Sequence, residues 1–341
     1  MTYSTKPSTT RRIFVQGSAA AAASAPFIKR ARADEPEFTI KIATVAPPGT
    51  PWAKQLKKRK KTIKKESEGR IKVKTYLGGA LGDETSTAEA TKRGTIHMWG
   101  GSASALASSV PEIECLELPF LFPTEQDADR VLDEVIREDL DRLLWERGFK
   151  LMFFSENGYR SIGSSSPVRS PGDLKGRKMR SQQSDVHLNT WKSYGASPVP
   201  ISVTEVLSAL QTGVVQGFDN TPLFTFAASW YQAITDFTLT EHIYQPALVV
   251  TSRKLWEQLP DDLQQVVMGD PAKLAKKARR GVRGIKAMLQ QNFVDSGVNL
   301  IELSASERAA FAAKSEEVHQ AFHDSTSAEG KALLKKIKSA L

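Results

Sequence analysis

The side chains able to do catalysis or bind metal are few, and no recognised motif groups them. His319 and His323 are four residues apart, which places both on one helical face and can hold a metal ion, but no third ligand accompanies them. Cys115, the single cysteine, lies in a segment with a recurring hydrophobic pattern, which is typical of a buried thiol. The motifs G-x-S-x-G, G-x-x-x-x-G-K-[ST], H-E-x-x-H and G-x-G-x-x-G are absent. We therefore predict a protein that is not an enzyme and uses no cofactor or metal.

The positive charge of the chain is concentrated at its start. Lys and Arg total 47 against 38 Asp and Glu, a net charge of +9, and residues 1–33 supply six basic side chains and no acidic one. The rest of the chain is nearly neutral, and its basic run, Lys57–Lys61, is not interleaved with aromatic residues. A nucleic-acid partner is therefore excluded. We interpret the run as a solvated helix face, with anion steering or docking to a membrane partner as the alternative.

Residues 1–33 have the organisation of an export signal. Arg11-Arg12-Ile13-Phe14 precedes a weakly apolar stretch, Ala19–Ala23, and Ala31-Arg32-Ala33 is an A-x-A cleavage site. The apolar part is shorter than the ~20 residues that a membrane span needs, so cleavage is favoured over anchoring. We predict a twin-arginine-type signal peptide and a periplasmic location.

Beyond residue 36, short strand patterns alternate with helical ones. A chain of 341 residues suggests about two domains, and the β-α-β-α order predicts α/β layers with mostly parallel strands, whose ligands sit beyond the carboxyl ends of the strands. An apolar stripe predicts one long helix over 271–292. Ser202-x-x-Glu205 and Ser304-x-x-Glu307 predict capping boxes, the first beginning a helix over 203–212 and the second a final helix.

Six segments, in this order and spacing, resemble the periplasmic solute-binding proteins of tripartite ATP-independent periplasmic (TRAP) transporters, of the dicarboxylate-binding type. The likeness runs from about Phe38 to the C-terminus, and its specificity lies in the order of the motifs rather than in any one of them. The segments are Leu116–Phe122, Asn157–Arg160, Asp173–Arg180, Gly195–Pro200, Glu205–Asn220 and Thr240–Tyr244.

The resemblance implies a periplasmic-binding-protein-like fold: two α/β lobes around a ligand cleft, with a long helix spanning both. Lobe I is expected to hold residues 36–157 and 246–285, and lobe II residues 158–245 and 286–341. The implied function is to trap a small organic carboxylate between the lobes and deliver it to the small and large TRAP membrane subunits. A periplasmic ligand sensor feeding a receptor or kinase, and an unrecognised periplasmic enzyme, stay open as alternatives.

The resemblance also implies the site residues. A family arginine at the position of Arg180 binds the ligand carboxylate, and a guanidinium fork suits both carboxylate oxygens. The remaining candidate ligand-binding residues are Arg160, Asn220, Asp219, Trp99, Gly101, Ser102 and Trp52. Asp83 occupies the family's Leu-Gly-Asp position, although helix capping explains it almost as well.

Two departures from the family pattern bear on the ligand. Val45 replaces an asparagine, and Gly101 a glutamate, of sialic-acid-binding relatives, which weakens the case for a sugar acid. Arg160 together with Arg180 suits a dicarboxylate, whereas the tryptophans suit an aromatic or keto monocarboxylate. The sequence leaves this choice open.

Overall fold

Nine strands form one mixed sheet in the computed structural model, which describes residues 35–341; the predicted signal peptide lies outside these residues. The sheet order is β2-β1-β3-β8-β4-β7-β5-β6, and β9 pairs with β8. The strands are β1 Phe38–Ala43, β2 Ile71–Tyr76, β3 Met98–Ser102, β4 Phe149–Ser164, β5 Lys178–Ser181, β6 Ser197–Pro200, β7 Gly217–Asn220, β8 Asp236–Ser252 and β9 Asn299–Glu302.

Fourteen α-helices connect and cover these strands in the described part of the chain. They are α1 Pro51–Glu66, α2 Glu84–Arg93, α3 Glu125–Arg130, α4 Arg137–Glu146, α5 Asp185–Ser193, α6 Val206–Gln211, α7 Pro222–Ala227, α8 Arg253–Trp256, α9 Asp261–Met268, α10 Pro271–Arg283, α11 Lys286–Asp295, α12 Ala305–Ala312, α13 Ser315–Ser325 and α14 Ala328–Ala340. Among residues 35–341, no helix combines the length and the apolar character needed to cross a bilayer.

Two long antiparallel strands, β4 and β8, run through the middle of the sheet. On one side β3, β1 and β2 continue the sheet, and on the other β7, β5 and β6. Pairing within β1/β2/β3 and within β5/β6/β7 is parallel, so the predicted α/β class is confirmed, while β4 and β8 add antiparallel contacts. The register of β4 against β8 shifts between Glu156 and Gly158. Two of the three predicted lobe boundaries, 157/158 and 245/246, lie at this irregularity, where Gly158 is opposite Gln245.

Apolar side chains cover both faces of the sheet. Because successive residues of a strand point to opposite faces, neighbours on one strand join different clusters. Trp99 and Leu248 belong to a cluster with the segment Pro111–Glu117 and α14, whereas Met98 packs with α1, α9 and α10. A third cluster, around Phe218 and Phe293, fills the β5/β7 half.

The predicted helix over 271–292 is two helices. Gly284 ends α10 by donating its N–H to the carbonyl of Arg280, and Ile285 then donates to Val282, a tighter i to i−3 turn that breaks the α-helical ladder. The prediction of one unbroken helix is therefore wrong. The pair nevertheless reaches both sides of the sheet, because α10 contacts α1 and β4 while α11 contacts α7 and β9.

The two predicted capping boxes have different outcomes. Ser304 and Glu307 form both halves of a capping box at the start of α12, although α13 and α14 follow, so α12 is not the final helix. The box at Ser202 does not form, because its Oγ lies 3.0 Å from Thr204 Oγ1 and residues 203–205 make a turn. Helix α6 accordingly begins only at Val206.

Candidate ligand-binding site

A polar cavity of about 20 Å³ lies where the two parts of the sheet meet. Ser102 and Asn220 are the last residues of β3 and β7, Arg180 lies on β5, and Arg160 lies on β4. The cavity is thus bordered by the carboxyl ends of strands, as expected for an α/β sheet. Its wall consists of Glu84, Ser102, Asn157, Arg160, Arg180, Gln182, Val203, Asn220, Phe224 and Gln245.

Arg180 is a buried cation without an ionic partner among residues 35–341. Only 2% of the residue is exposed. Its Nε donates to the carbonyl of Ile201 at 3.0 Å, and its Nη1 has no hydrogen-bond partner. Its guanidinium carbon lies 5.6 Å from the ring centre of Trp230. Burial, followed by the charge of Arg160, lowers the pKa of Arg180 to about 9. An anion in the cavity would offset both the desolvation of Arg180 and its repulsion by Arg160, and would raise this pKa.

Arg160 borders the same cavity, but its charge is already paired. Its Nε donates to Asp219 Oδ2 at 2.5 Å and its Nη2 to the Asp219 carbonyl at 2.5 Å, and both side chains are 1% exposed. Asp219 lies behind Arg160 rather than in the cavity wall. Burial raises the pKa of Asp219, but the charge of Arg160 and a hydrogen bond from His242 outweigh it, so the pKa is well below its usual value. Arg160 and Asp219 thus form a buried ion pair, and Asp219 does not border this cavity.

Ser102 and Glu84 form the opposite wall. Glu84 accepts from the Ser102 hydroxyl at 2.7 Å and from the Ser102 N–H at 3.0 Å. Burial raises the pKa of Glu84, and these hydrogen bonds oppose the rise. Gln182 donates to Ser102 Oγ at 3.3 Å and accepts from Gln245 at 2.7 Å. Gln245 also donates to the buried carboxylate of Glu117 at 2.9 Å, so the wall is held by a continuous polar chain.

The other predicted residues take different positions. Asn220 borders the cavity, and its Oδ1 accepts from the Thr221 N–H at 2.7 Å. Trp99 is fully buried in the core, with its Nε1 donating to Thr87 Oγ1 at 3.2 Å. Trp52 and Gly101 border an adjoining apolar cavity instead. The polar cavity therefore brings together Arg180, Arg160, Ser102 and Asn220.

The sequence analysis missed Glu84, Gln182 and Gln245. The Leu-Gly-Asp segment directed attention to Asp83, but Asp83 caps α2 by accepting from the Ser86 N–H at 2.7 Å. Its neighbour Glu84 is the residue that faces the cavity. An acidic residue in the first turn of a helix is favourable for the helix dipole alone, so no signal in the sequence marked Glu84 as part of a site.

Comparison with known proteins agrees with the fold. The family model of bacterial extracellular solute-binding proteins, family 7, matches residues 42–325. A solute-binding protein of Verminephrobacter eiseniae is 34% identical over 281 residues, 82% of each chain.

Two solved structures extend this comparison. A TRAP periplasmic solute-binding protein of Sulfurospirillum deleyianum with bound succinate has a TM-score of 0.84 at 26% identity, covering 90% of this chain and 100% of that one. The sugar-acid-binding protein DctPAm of Advenella mimigardefordensis, in complex with galactonate, has a TM-score of 0.85 at 27% identity, with the same coverage. Since the family model covers most of the chain and the neighbours share its two-lobe fold, the protein belongs to the extracytoplasmic solute-binding proteins of TRAP transporters.

Proposed function

We propose that this receptor binds a small organic carboxylate on Arg180. The observation that carries the proposal is the buried guanidinium whose Nη1 has no partner at a cavity wall. A carboxylate would give that guanidinium a charge-assisted, two-pronged contact in a site shielded from water. The succinate and galactonate bound by the two solved relatives both carry carboxylates, which supports an acid as the ligand here.

The other wall residues complete this proposal. Asn220 and Gln182 supply polar side chains at the cavity, and Ser102 orients Glu84. Arg160 has a positioning role, because it holds Asp219 and thereby keeps that negative charge away from the ligand. Glu84 would repel a second carboxylate placed beside it. The charges therefore favour an acid with one carboxylate over a dicarboxylate.

The binding cycle that we propose is a closure of two lobes, without chemistry on the ligand. Lobe I consists of residues 36–157 and 246–285, and lobe II of residues 158–245 and 286–341. The hinge lies where β4 and β8 are irregular, between Glu156 and Gly158. The ligand drives closure only to the extent that it binds the closed form more tightly. The closed form would be the one delivered to the small and large TRAP membrane subunits.

The export route is a separate part of the proposal. Residues 1–33 would act as a twin-arginine signal peptide that is removed after Ala33, leaving the receptor in the periplasm. The mass of the protein recovered from the periplasm tests this proposal. A mature chain beginning at Asp34 supports it, and loss of export when Arg11 and Arg12 are both changed to Lys supports the twin-arginine route. Retention of residues 1–33 in the exported protein would contradict the cleavage.

Thermal unfolding with a panel of monocarboxylates, keto acids, aromatic acids, dicarboxylates and sugar acids tests the carboxylate site. A ligand at about 100 times its Kd stabilises the folded state by about 2.7 kcal/mol, which raises Tm by several degrees. We expect Arg180→Gln to abolish the shift. The matched control is Lys178→Gln, an exposed cation on the same strand, which should leave the shift intact. An equal shift in Arg180→Gln and wild type would show that Arg180 is not the anchor.

A further inference from the structure

A second cavity adjoins the polar one and is mainly apolar. It lies between one face of β1, β3, β4 and β8 and the helices α1 and α10, and encloses about 80 Å³ of space. Its apolar wall includes Val45, Leu56, Met98, Met152, Val249 and Leu274. Its lining residues Trp52, Leu56 and Leu274 are only half-buried, so the cavity is partly open to solvent. Apolar surface that faces water in this way favours an apolar group that covers it.

The two cavities share part of their wall. Glu84, Asn157 and Phe224 border both of them. On β3, Ser102 borders the polar cavity, while the preceding Gly101 borders the apolar one. The apolar cavity therefore lies directly beside the proposed carboxylate site.

Several polar groups of the apolar cavity already have protein partners. Gln55 donates to the carbonyl of Leu274 at 3.0 Å, and Arg59 donates to the carbonyl of Val267 at 2.8 Å. Glu84 is occupied by Ser102. Ser155 Oγ is the buried side-chain oxygen of this wall that has no partner within residues 35–341. The hydroxyls of a sugar acid would lose their water here and find almost nothing to replace it, which is costly.

We infer that the receptor takes monocarboxylates carrying an apolar group, with the carboxylate on Arg180 and the apolar group in this second cavity. The inference rests on the proposed carboxylate site and adds the class of ligand. A cavity of 150 Å³ accommodates benzene, so about 80 Å³ suits a chain of roughly three to five carbons. Met98 and Met152 have flexible side chains that can rearrange around somewhat larger groups.

The first test is calorimetry with straight-chain monocarboxylates from acetate to octanoate, with succinate and galactonate for comparison. Each methylene that enters the cavity should tighten binding about three- to fourfold, up to roughly five carbons beyond the carboxylate. Binding of the longer acids should show an increasingly negative heat-capacity change, the mark of apolar burial. Affinity that is flat or falls with chain length, or galactonate binding tighter than every apolar acid, would overturn the inference.

The second test fills the apolar cavity with a larger side chain. A Cβ built at Gly100 has Val249 Cγ2 as its nearest neighbour at 3.6 Å, an ordinary contact, and Gly100 borders the cavity. Gly100→Leu should therefore remove the chain-length dependence while acetate still binds. The matched control is Gly172→Leu, at an exposed position outside this wall. In the opposite direction, Leu274→Ala enlarges the cavity and should move the optimum to longer chains.

The outcomes separate the two proposals. If no carboxylate binds at all, the proposed function fails and this inference fails with it. If acetate binds through Arg180 but longer acids bind no better, only the apolar cavity is refuted. If Gly100→Leu weakens acetate and hexanoate equally, the substitution acts on the fold or the polar cavity, and the assignment of the tail to this space is wrong.

Discussion

Replacing Arg180 by methionine should stabilise the ligand-free protein while abolishing ligand binding. The reason is that the guanidinium is buried beside Arg160 and has no ionic partner within residues 35–341. Methionine retains a long, flexible side chain that can fill the same space. A residue retained for the stability of the fold would behave in the opposite way, so this substitution separates a binding role from a structural one.

The magnitude follows from the pKa of Arg180. A fall from 12.5 to about 9 corresponds to roughly 5 kcal/mol that opposes burial of the charged form. Methionine recovers this amount but loses the hydrogen bond to the Ile201 carbonyl, about 1 kcal/mol, and the contact with the Trp230 ring, about 1 kcal/mol. Discounting for relaxation around a buried charge, we expect a net gain of about 1–3 kcal/mol.

Urea unfolding of the ligand-free protein at pH 7 measures this difference. The midpoint of Arg180→Met should rise at an unchanged m value, which marks a change in stability rather than in the denatured state. Lys178→Met, at an exposed position on the same strand, controls for the loss of a positive charge. A loss of more than about 2 kcal/mol in Arg180→Met would show that the arginine holds the fold together, and the reasoning from its unpaired charge would be refuted.

Three further predictions concern the surroundings of the cavity. Arg160→Gln should lower stability in urea unfolding by about 3–5 kcal/mol, because it leaves Asp219 buried and uncompensated; a loss below 1 kcal/mol would contradict the pairing. Gly101→Ala should lower stability by about 1–3 kcal/mol and change tryptophan fluorescence, since its Cβ would lie 2.4 Å from Trp99; unchanged stability and emission would be inconsistent with that contact. Burial raises the pKa of Glu114 to about 7, so the folded state binds its proton more tightly than the unfolded state, and stability should fall by up to about 3 kcal/mol as the pH rises from 4.5 to 7. Glu114→Gln should remove that part of the fall in urea titrations, and an identical pH profile in wild type and variant would refute its origin.

Local features of the fold could be predicted from the sequence because their causes are local. The stop of α2 at Gly94 needs a left-handed residue, and Gly94 has φ 84°. The capping box at Ser304 depends only on a residue three positions ahead. The capping box predicted at Ser202 fails for an equally local reason. The Thr204 hydroxyl lies within hydrogen-bond distance of the Ser202 hydroxyl and competes with the cap, which the motif does not take into account.

The charge state of the site could not be predicted, because it depends on residues that are distant in the chain. The resemblance predicts that Arg160 and Arg180 are both ligand-binding cations. The structure pairs Arg160 with Asp219, 59 positions away, and no local pattern reveals that pairing. Glu84 was missed for a related reason, since its position beside Ser102 arises only when α2 packs against the end of β3.

The pairing of Arg160 is also the basis of the proposed preference for ligands with a single charge. With Arg160 paired to Asp219, Arg180 is the cation of this cavity wall that has no ion pair within residues 35–341, and the Glu84 carboxyl group borders the same cavity. One incoming carboxylate relieves the unfavourable burial of Arg180, whereas a second one must be desolvated near Glu84 without a partner. The proposal therefore expects the cost of burying the guanidinium to be offset best by a ligand with a single carboxylate. On this reasoning, an unpaired arginine that destabilises the empty receptor increases the free energy gained when an anionic ligand binds.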